Sequence, residues 1–314
     1  MSTQFKNRVF GCVIVKSINS NYNADFTHQP RTLPDGTVYA TDKVLKYSVR
    51  NFIKKTHPAD KILYFKSLNE EMQPRDLGEA YENVIGAFPK NEGKDKDSKN
   101  RKEVLKNLLT CVDVRLFGGT FAEKGANISI HGTTQITHGI NRFPENAIYS
   151  EQIASPFRNA NDKSADSMQT TLGTQFKLRE WHYVHHFSIN PQNLDELVER
   201  SSGEPLNDED IQKLKAGLSR GVTFYDSSAK AGTENELLLW VQLKPESKLV
   251  LPSFAELVTV GDDKDRTIDL SKITEILERP HVASAIESIE IRYDKTATHV
   301  AGAPKNATFH QIHE

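Results

Sequence analysis

Between residues 41 and 55 the chain reads TDKVLKYSVRNFIKK, and its apolar and polar positions separate at about 100° per residue. Val44, Leu45, Val49, Phe52 and Ile53 fall on one broad side of a helix, while Lys43, Lys46, Tyr47, Arg50 and Lys54 form a narrow stripe on the other. Thr41 or Asp42 is placed to cap the first turn, and the Lys54-Lys55 pair suits the negative end of the helix dipole. The pattern predicts a helix with one core face and one cationic face. Four cations at one-turn intervals, with an aromatic ring among them, match a run of phosphates, because each neutralised phosphate releases condensed counterions. A solvated lysine-rich face is the plainer reading of the same stripe.

The same patterning places further elements. Residues 9–18 (VFGCVIVKSI) are β-branched and almost continuously apolar, as in a strand covered on both faces. Residues 19–36 (NSNYNADFTHQPRTLPDG) are dense in turn formers and predict a long loop, which brings Asn19, Asn21, Asn23 and Arg31 to the start of the cationic helix. Amides and a guanidinium there suit phosphates, sugars or base edges; the alternative is that the Asn residues only satisfy their own backbone. A helix is predicted near 76–85. Residues 90–102 (KNEGKDKDSKNRK) lack apolar positions and predict a solvated excursion. Val104, Leu105, Leu108, Leu109, Val112 and Leu116 recur at helical spacing up to Gly118-Gly119, a pair that suits either a helix end or close approach of a ligand.

Residues 127–137 (NISIHGTTQIT) alternate as a strand, with Gly132 as a candidate bulge. Arms within 140–174, which hold Arg142, Phe157, Arg158 and Met168 around a polar middle, predict a long protruding hairpin. Strands at 181–189 and 237–243 bracket a helix at 208–220 capped by Asn207, and 271–279 and 286–293 add a helix and a strand. The order β-α-β-β-α-β is that of a ferredoxin-like fold. The expected architecture is therefore α+β, with one domain over 1–314, an inserted helical region at 56–126, a hairpin at 150–174 and a loosely ordered tail at 294–314.

Composition narrows the function classes. With 37% hydrophobic and 26% charged residues the chain has material for a substantial core, and its net charge of −2 makes any polyanion site a local patch. Cys12 and Cys111 sit among apolar residues without a CxxC, which reads as reduced thiols in a cytoplasmic protein. No run approaches the length of a membrane span, and the first residues lack the apolar core of a signal peptide. No phosphate loop, nucleophile elbow or HExxH motif occurs. His182 and His186 share a strand face while His185 points away, which falls short of a zinc site. Neither a cofactor nor a metal is expected.

Taken in order, NRVFGCVIV, the NSNYNADF loop ending in QPR, TDKVLKYSVRNFI, RLFGGTFA, NISIHGTTQITHG and the TLG before a Trp/Tyr strand resemble the CRISPR-associated backbone subunit of type I Cascade complexes, in the I-B branch. The similarity spans most of 5–190. It implies a modified RNA-recognition-type fold whose copies stack along a CRISPR RNA as a helical filament. A hairpin thumb would displace nucleotides at intervals, leaving the rest to pair with target DNA beside other Cascade subunits. Carried over, Lys43, Lys46 and Arg50, with Lys54 beyond them, track the RNA backbone; Asn21, Asn23 and Arg31 lie close to it. Phe157, Arg158 and Met168, with Arg142 at the base, are the thumb candidates. The resemblance implies a scaffold without catalysis. Two other classes remain open: a metal-dependent ribonuclease in which Asp25 cuts target RNA, and a stand-alone RNA-binding module, although base-stacking aromatics are not evident in the central strands.

Overall fold

The computed structural model describes residues 3–89, 96–143, 147–158 and 169–314, with the side chains of 96–99, 158 and 169–172 left aside. Strand β1 (Val9–Ser20) contributes Val9, Val13 and Val15 to one core and Phe10, Cys12 and Ile14 to another. A strand covered on both faces has no polar face to alternate with, hence its near-continuous apolar sequence. Past a long loop and the short strand β2 (Tyr39–Ala40), helix α1 (Asp42–Thr56) buries Leu45, Ser48, Val49, Asn51, Phe52 and Ile53. The apolar face read from the sequence is the face that packs.

Three helices follow. Helix α2 (Leu77–Val84) opens on a capping box in which Asp76 and Glu79 each accept the other's backbone N–H. The periodicity at 104–116 predicts one helix, but the chain breaks it at Leu109 to Cys111 into α3 (Lys96–Leu108) and α4 (Val112–Phe117). The break lets α4, buried at every residue, aim Asp113 and Arg115 at different partners. The stretch expected as a solvated excursion also differs: residues 96–102 form the first turns of α3, and 90–95 lie outside the described residues.

Strands β3 (Gly118–Glu123) and β4 (Ala126–His131) pair as a separate two-stranded sheet, and the chain then enters the main sheet as β5 (Thr134–Ile136). The single strand expected at 127–137 is thus two strands in two sheets. The switch happens where backbones touch. A Cβ on Gly118, whose φ is +67°, would strike the Ile130 carbonyl, and one on Gly132 would strike the Gly118 amide. Gly119 lies against the Tyr64 ring. The glycine pair serves packing of the chain on itself and offers no opening to a ligand.

Strand β6 (Gly139–Asn141) precedes β7 (Ile148–Arg158) and the long β8 (Gln169–Ile189). From Leu178 to Ile189, β8 pairs with β1; its earlier residues pair with β7. At about 3.3 Å per residue, the nine residues before Leu178 carry this two-stranded arm about 30 Å beyond β1. Helices α5 (Asp195–Ser201) and α6 (Asp208–Arg220) and strand β9 (Thr233–Leu243) follow, α6 opening on the expected Asn207 cap. The C-terminal part adds β10 (Thr259–Val260), β11 (Ile268–Asp269), α7 (Ser271–Leu277), β12 (Ile286–Tyr293), β13 (Val300–Ala301) and β14 (Thr308–His310). The expectation of a loosely ordered tail fails here, because β13 pairs with β11 and β14 with β12, so the tail's backbone groups are held by partners distant in sequence.

The main sheet runs β14-β12-β9-β1-β8-β6-β2, with β5 and β7 also paired to β8, which makes the architecture α+β. Helices α1 and α6 cover one face over Val49, Ile53, Leu214, Leu218, Trp181 and Trp240. The C-terminal part covers the other over Ile14, Val184, Leu239, Phe254 and Ile273. A third cluster, including Tyr81, Leu108, Phe121 and Ile130, belongs to the region between α1 and β5. Among the described residues no helix is long and apolar enough to cross a membrane. Cys12 and Cys111 are free and buried, and burial pushes both thiols up to about 12.

The three strand histidines divide as alternation requires. His182 meets Glu236 at 2.6 Å, His186 accepts the Phe254 N–H at 3.1 Å, and His185 lies on the opposite face, edge-on to Tyr22 and bonded to the Thr137 carbonyl. Burial lowers His185 and His186 from 6.5 to about 4. Both are neutral in the folded chain at pH 7, whereas the unfolded chain protonates them below 6.5. Their contribution to stability is therefore complete above pH 6.5 and is lost as pH falls through 4. Urea midpoints are expected to drop across that window, and the drop should shallow in His185→Gln; a midpoint that rises on acidification would contradict this assignment.

Candidate nucleic-acid interface

The loop after β1 is built around the start of α1. Asn23 accepts the Thr41 N–H at 2.8 Å and the Thr41 hydroxyl at 3.0 Å, so Thr41 occupies the N-cap position with its hydroxyl turned to the loop instead of to the helix. Asn21 is buried, and its amide donates to the Phe176 carbonyl at 3.3 Å. Asn19, at φ +50°, accepts from the Tyr149 hydroxyl on β7. The Asn residues thus mainly hold the loop. What they leave open is a groove of about 450 Å³ lined by Asn23, Arg31, Thr41, Lys43, Val44 and Tyr47. In it stand two cations read from the sequence: Lys43, whose side chain is 82% exposed, and Arg31, whose Nε is shut from water without a hydrogen bond. Burial, then the Tyr225 hydroxyl, push the Tyr47 phenol up to about 12 and keep it neutral.

The rest of the cationic stripe is differently placed. Arg50 is 13% exposed and donates to the buried Asp113 at 3.1 Å, and Lys46 is 14% exposed and bonded to Asp42 at 2.9 Å. Both lie against the Phe117 ring, at 5.0 and 5.9 Å from its centroid. A ridge of four free cations was expected; the structure folds its middle two into the body, Arg50 because Asp113 is buried and needs a counter-charge and Lys46 by its bond to Asp42 one turn before it. Lys54 is exposed, one turn beyond, over Phe65, on which Tyr47 stacks at 5.0 Å. Of the stripe's four cations only Lys43 joins Arg31 in the groove, with Tyr47 beside them.

Arg142 donates to the Ala255 carbonyl at 2.8 Å and pairs with Glu256, which commits it to the C-terminal part, away from the groove. Phe157 sits on the β7 arm at 75% exposure. Met168 and the Arg158 side chain lie outside the described residues. Asp25 is a turn residue: its Oδ1 accepts the Thr27 hydroxyl at 2.7 Å, the Thr27 N–H at 2.8 Å and the Gln29 N–H at 3.0 Å. The Thr27 hydroxyl first, and then these amides, hold its carboxyl below the usual range. Beside it stands a residue that the reading of motifs passed over, Phe26, 98% exposed at the loop's tip. Its signal was a phenylalanine among turn formers.

The family model for CRISPR-associated protein Cas7 matches residues 7–278. This chain belongs to the Cas7 family. The resemblance seen in its motifs is therefore one of descent. A solved chain of a "CRISPR RNA-guided surveillance complex, pre-nicking" shares the fold of this Cas7-family chain at 14% identity, covering 97% of each chain with a TM-score of 0.55. A chain from a second "CRISPR RNA-guided surveillance complex" is similar at 14% identity over 93% of this chain and 95% of its own, with a TM-score of 0.44. No curated protein matches the chain.

The different settings of the Cas7-family cations lead to opposite expectations for stability. Arg50→Ala leaves the buried Asp113 without its counter-charge and should cost about 3 kcal/mol in chemical denaturation. Lys43→Ala, at an exposed position, should stay within about 0.5 kcal/mol. Equal losses would show that the stripe is one solvated face.

Proposed function

We propose that this chain is a non-catalytic backbone subunit that binds CRISPR RNA along its sugar-phosphate chain, assembles with further copies of itself and with other Cascade subunits, and leaves the guide's bases to pair with target DNA in the cytoplasm. The observation that carries the proposal is the groove between the β1 loop and α1. It is open, sits beside a helix start, and holds Arg31 and Lys43 with amide and hydroxyl groups, a set suited to phosphate and sugar. Membership of the Cas7 family supports the partner.

The fold reading that goes with this function is ferredoxin-like. The strand order β9-β1-β8 followed by β5 or β6 supports it, being the fourth-first-third-second order of a β-α-β-β-α-β chain with both helices on one face. On this reading the β7–β8 arm is the thumb that reaches along the RNA, with Phe157 and Arg158 on β7. Extended, pre-ordered RNA loses less entropy when target DNA pairs with it, and sequence choice rests with the guide. Against a ribonuclease reading stands the hydrogen bonding of Asp25, whose Oδ1 is already occupied by three donors of its own turn.

Arg31→Ala with Lys43→Ala should weaken binding of single-stranded CRISPR RNA and reduce the slope of log K against log salt by about 1.4, since each phosphate contact on a single strand contributes about 0.7. Filter binding across a salt series checks both, and an unchanged slope removes the groove from the reading. Cleavage of complementary RNA in Mg²⁺ that disappears in Asp25→Ala would replace the scaffold with an enzyme.

A further inference from the structure

We infer that Phe26 is a base-stacking residue, which lays its ring against an unpaired nucleobase of the single-stranded RNA held in the neighbouring groove; the inference rests on the RNA-binding reading above. Phe26 is 98% exposed, more than any other large apolar residue among those described. Two other exposed phenylalanines have ring partners within the chain: Phe224 meets Phe52 at 5.4 Å and Phe309 meets Tyr293 at 6.1 Å. Among the described residues Phe26 has no ring partner. A single exposed apolar side chain is common and needs no explanation by itself; what singles out Phe26 is that its loop lines a cationic groove.

The backbone that carries the ring is closed by its own hydrogen bonds. Ala24 and Pro30 form an antiparallel bridge, the Asp25 N–H donates to the Gln29 carbonyl at 2.7 Å, the His28 N–H donates to the Asp25 carbonyl at 3.2 Å, and His28 turns the chain at φ +67°. The Asp25 Oδ1 closes the inside of this turn through Thr27 and Gln29. The tip is therefore a small closed turn from which the Phe26 ring projects, with exposed His28 two residues on.

Position decides what covers the ring. Asn23 and Arg31, the residues flanking the Ala24–Pro30 bridge, are walls of the groove that also contains Lys43 and Tyr47. A nucleic acid whose phosphates lie between Arg31 and Lys43 carries its bases within a few ångströms of that backbone. Every base offers a flat π-face, so an aromatic ring at the rim of a cationic groove adds affinity without choosing a sequence. This suits a protein that must hold guides of any sequence. The competing occupant of an exposed phenylalanine is an apolar pocket on a second copy of the chain, such as the one lined by Phe52, Phe224 and Arg220. The adjacent cations favour the nucleotide.

The test uses the full chain and a single-stranded RNA carrying 2-aminopurine at successive positions. Wild type should quench the probe at one or more positions on binding. Phe26→Ala should lose that quench and bind about ten-fold more weakly, with the salt slope unchanged, because no phosphate contact is removed. Phe26→Tyr should keep the quench; Phe26→Leu, equally apolar without a π-face, should lose it. Unchanged affinity and quench in Phe26→Ala would overturn the stack alone, as would a variant that keeps the quench but loses self-association in RNA-free sedimentation. Failure of the wild-type chain to bind RNA would overturn both the stack and the reading beneath it.

Discussion

Helix α4 carries two opposite charges, two residues apart, into a fully buried position, and the arrangement of the helical layer follows from what those charges need. Arg115 is gripped by both carboxylate oxygens of Asp210 on α6 at 2.8 Å and also donates to the Leu109 carbonyl. Asp113 accepts the backbone N–H groups of Leu63 and Tyr64 and the guanidinium of Arg50 on α1. A buried charge without a partner costs several kcal/mol, so each of these bonds is required once the helix is inside. The pair joins the region between α1 and β5 to both helices that cover the sheet, and it also explains why the helix broken at Leu109 to Cys111 is not continuous.

The same requirement shapes the candidate interface. A buried carboxylate draws the nearest guanidinium out of the solvent-facing set, so Arg50 becomes structural, and Lys46 beside it is held by Asp42 over the Phe117 ring. The cationic character that remains accessible lies at the N-terminal end of α1, where Lys43 meets Arg31 from the loop. The loop is correspondingly rigid. Its Asn side chains bond to Thr41, to β8 and to β7, fixing the groove's walls before any ligand arrives. Pre-formed walls lower the ordering entropy of binding.

Several elements of this Cas7-family chain were legible in its residues because their signals are local. The 3.6-residue period of α1, the Asn207 cap of α6, the unbroken apolar run of β1 and the β formers of β8 and β9 each depend on neighbours within a few positions. Family motifs, likewise local, pointed to the partner class. The loop was legible as a loop, and Arg31 and Lys43 as cations within reach of each other.

What only the tertiary structure decided involves residues far apart in the chain. Arg50 and Asp113 are separated by 63 positions, and no periodicity announces their bond. The switch of sheets at Gly132 depends on the backbone of Gly118 arriving beside it, and the tail becomes strand because β11 and β12 present open edges to it. Burial of a charge, contact between two backbones and completion of a sheet edge are properties of the assembled fold. Local pattern therefore determined the main helices and strands and where cations are available, while packing determined where those elements break or switch sheets, whether the tail joins a sheet, and which of the cations the protein keeps for itself.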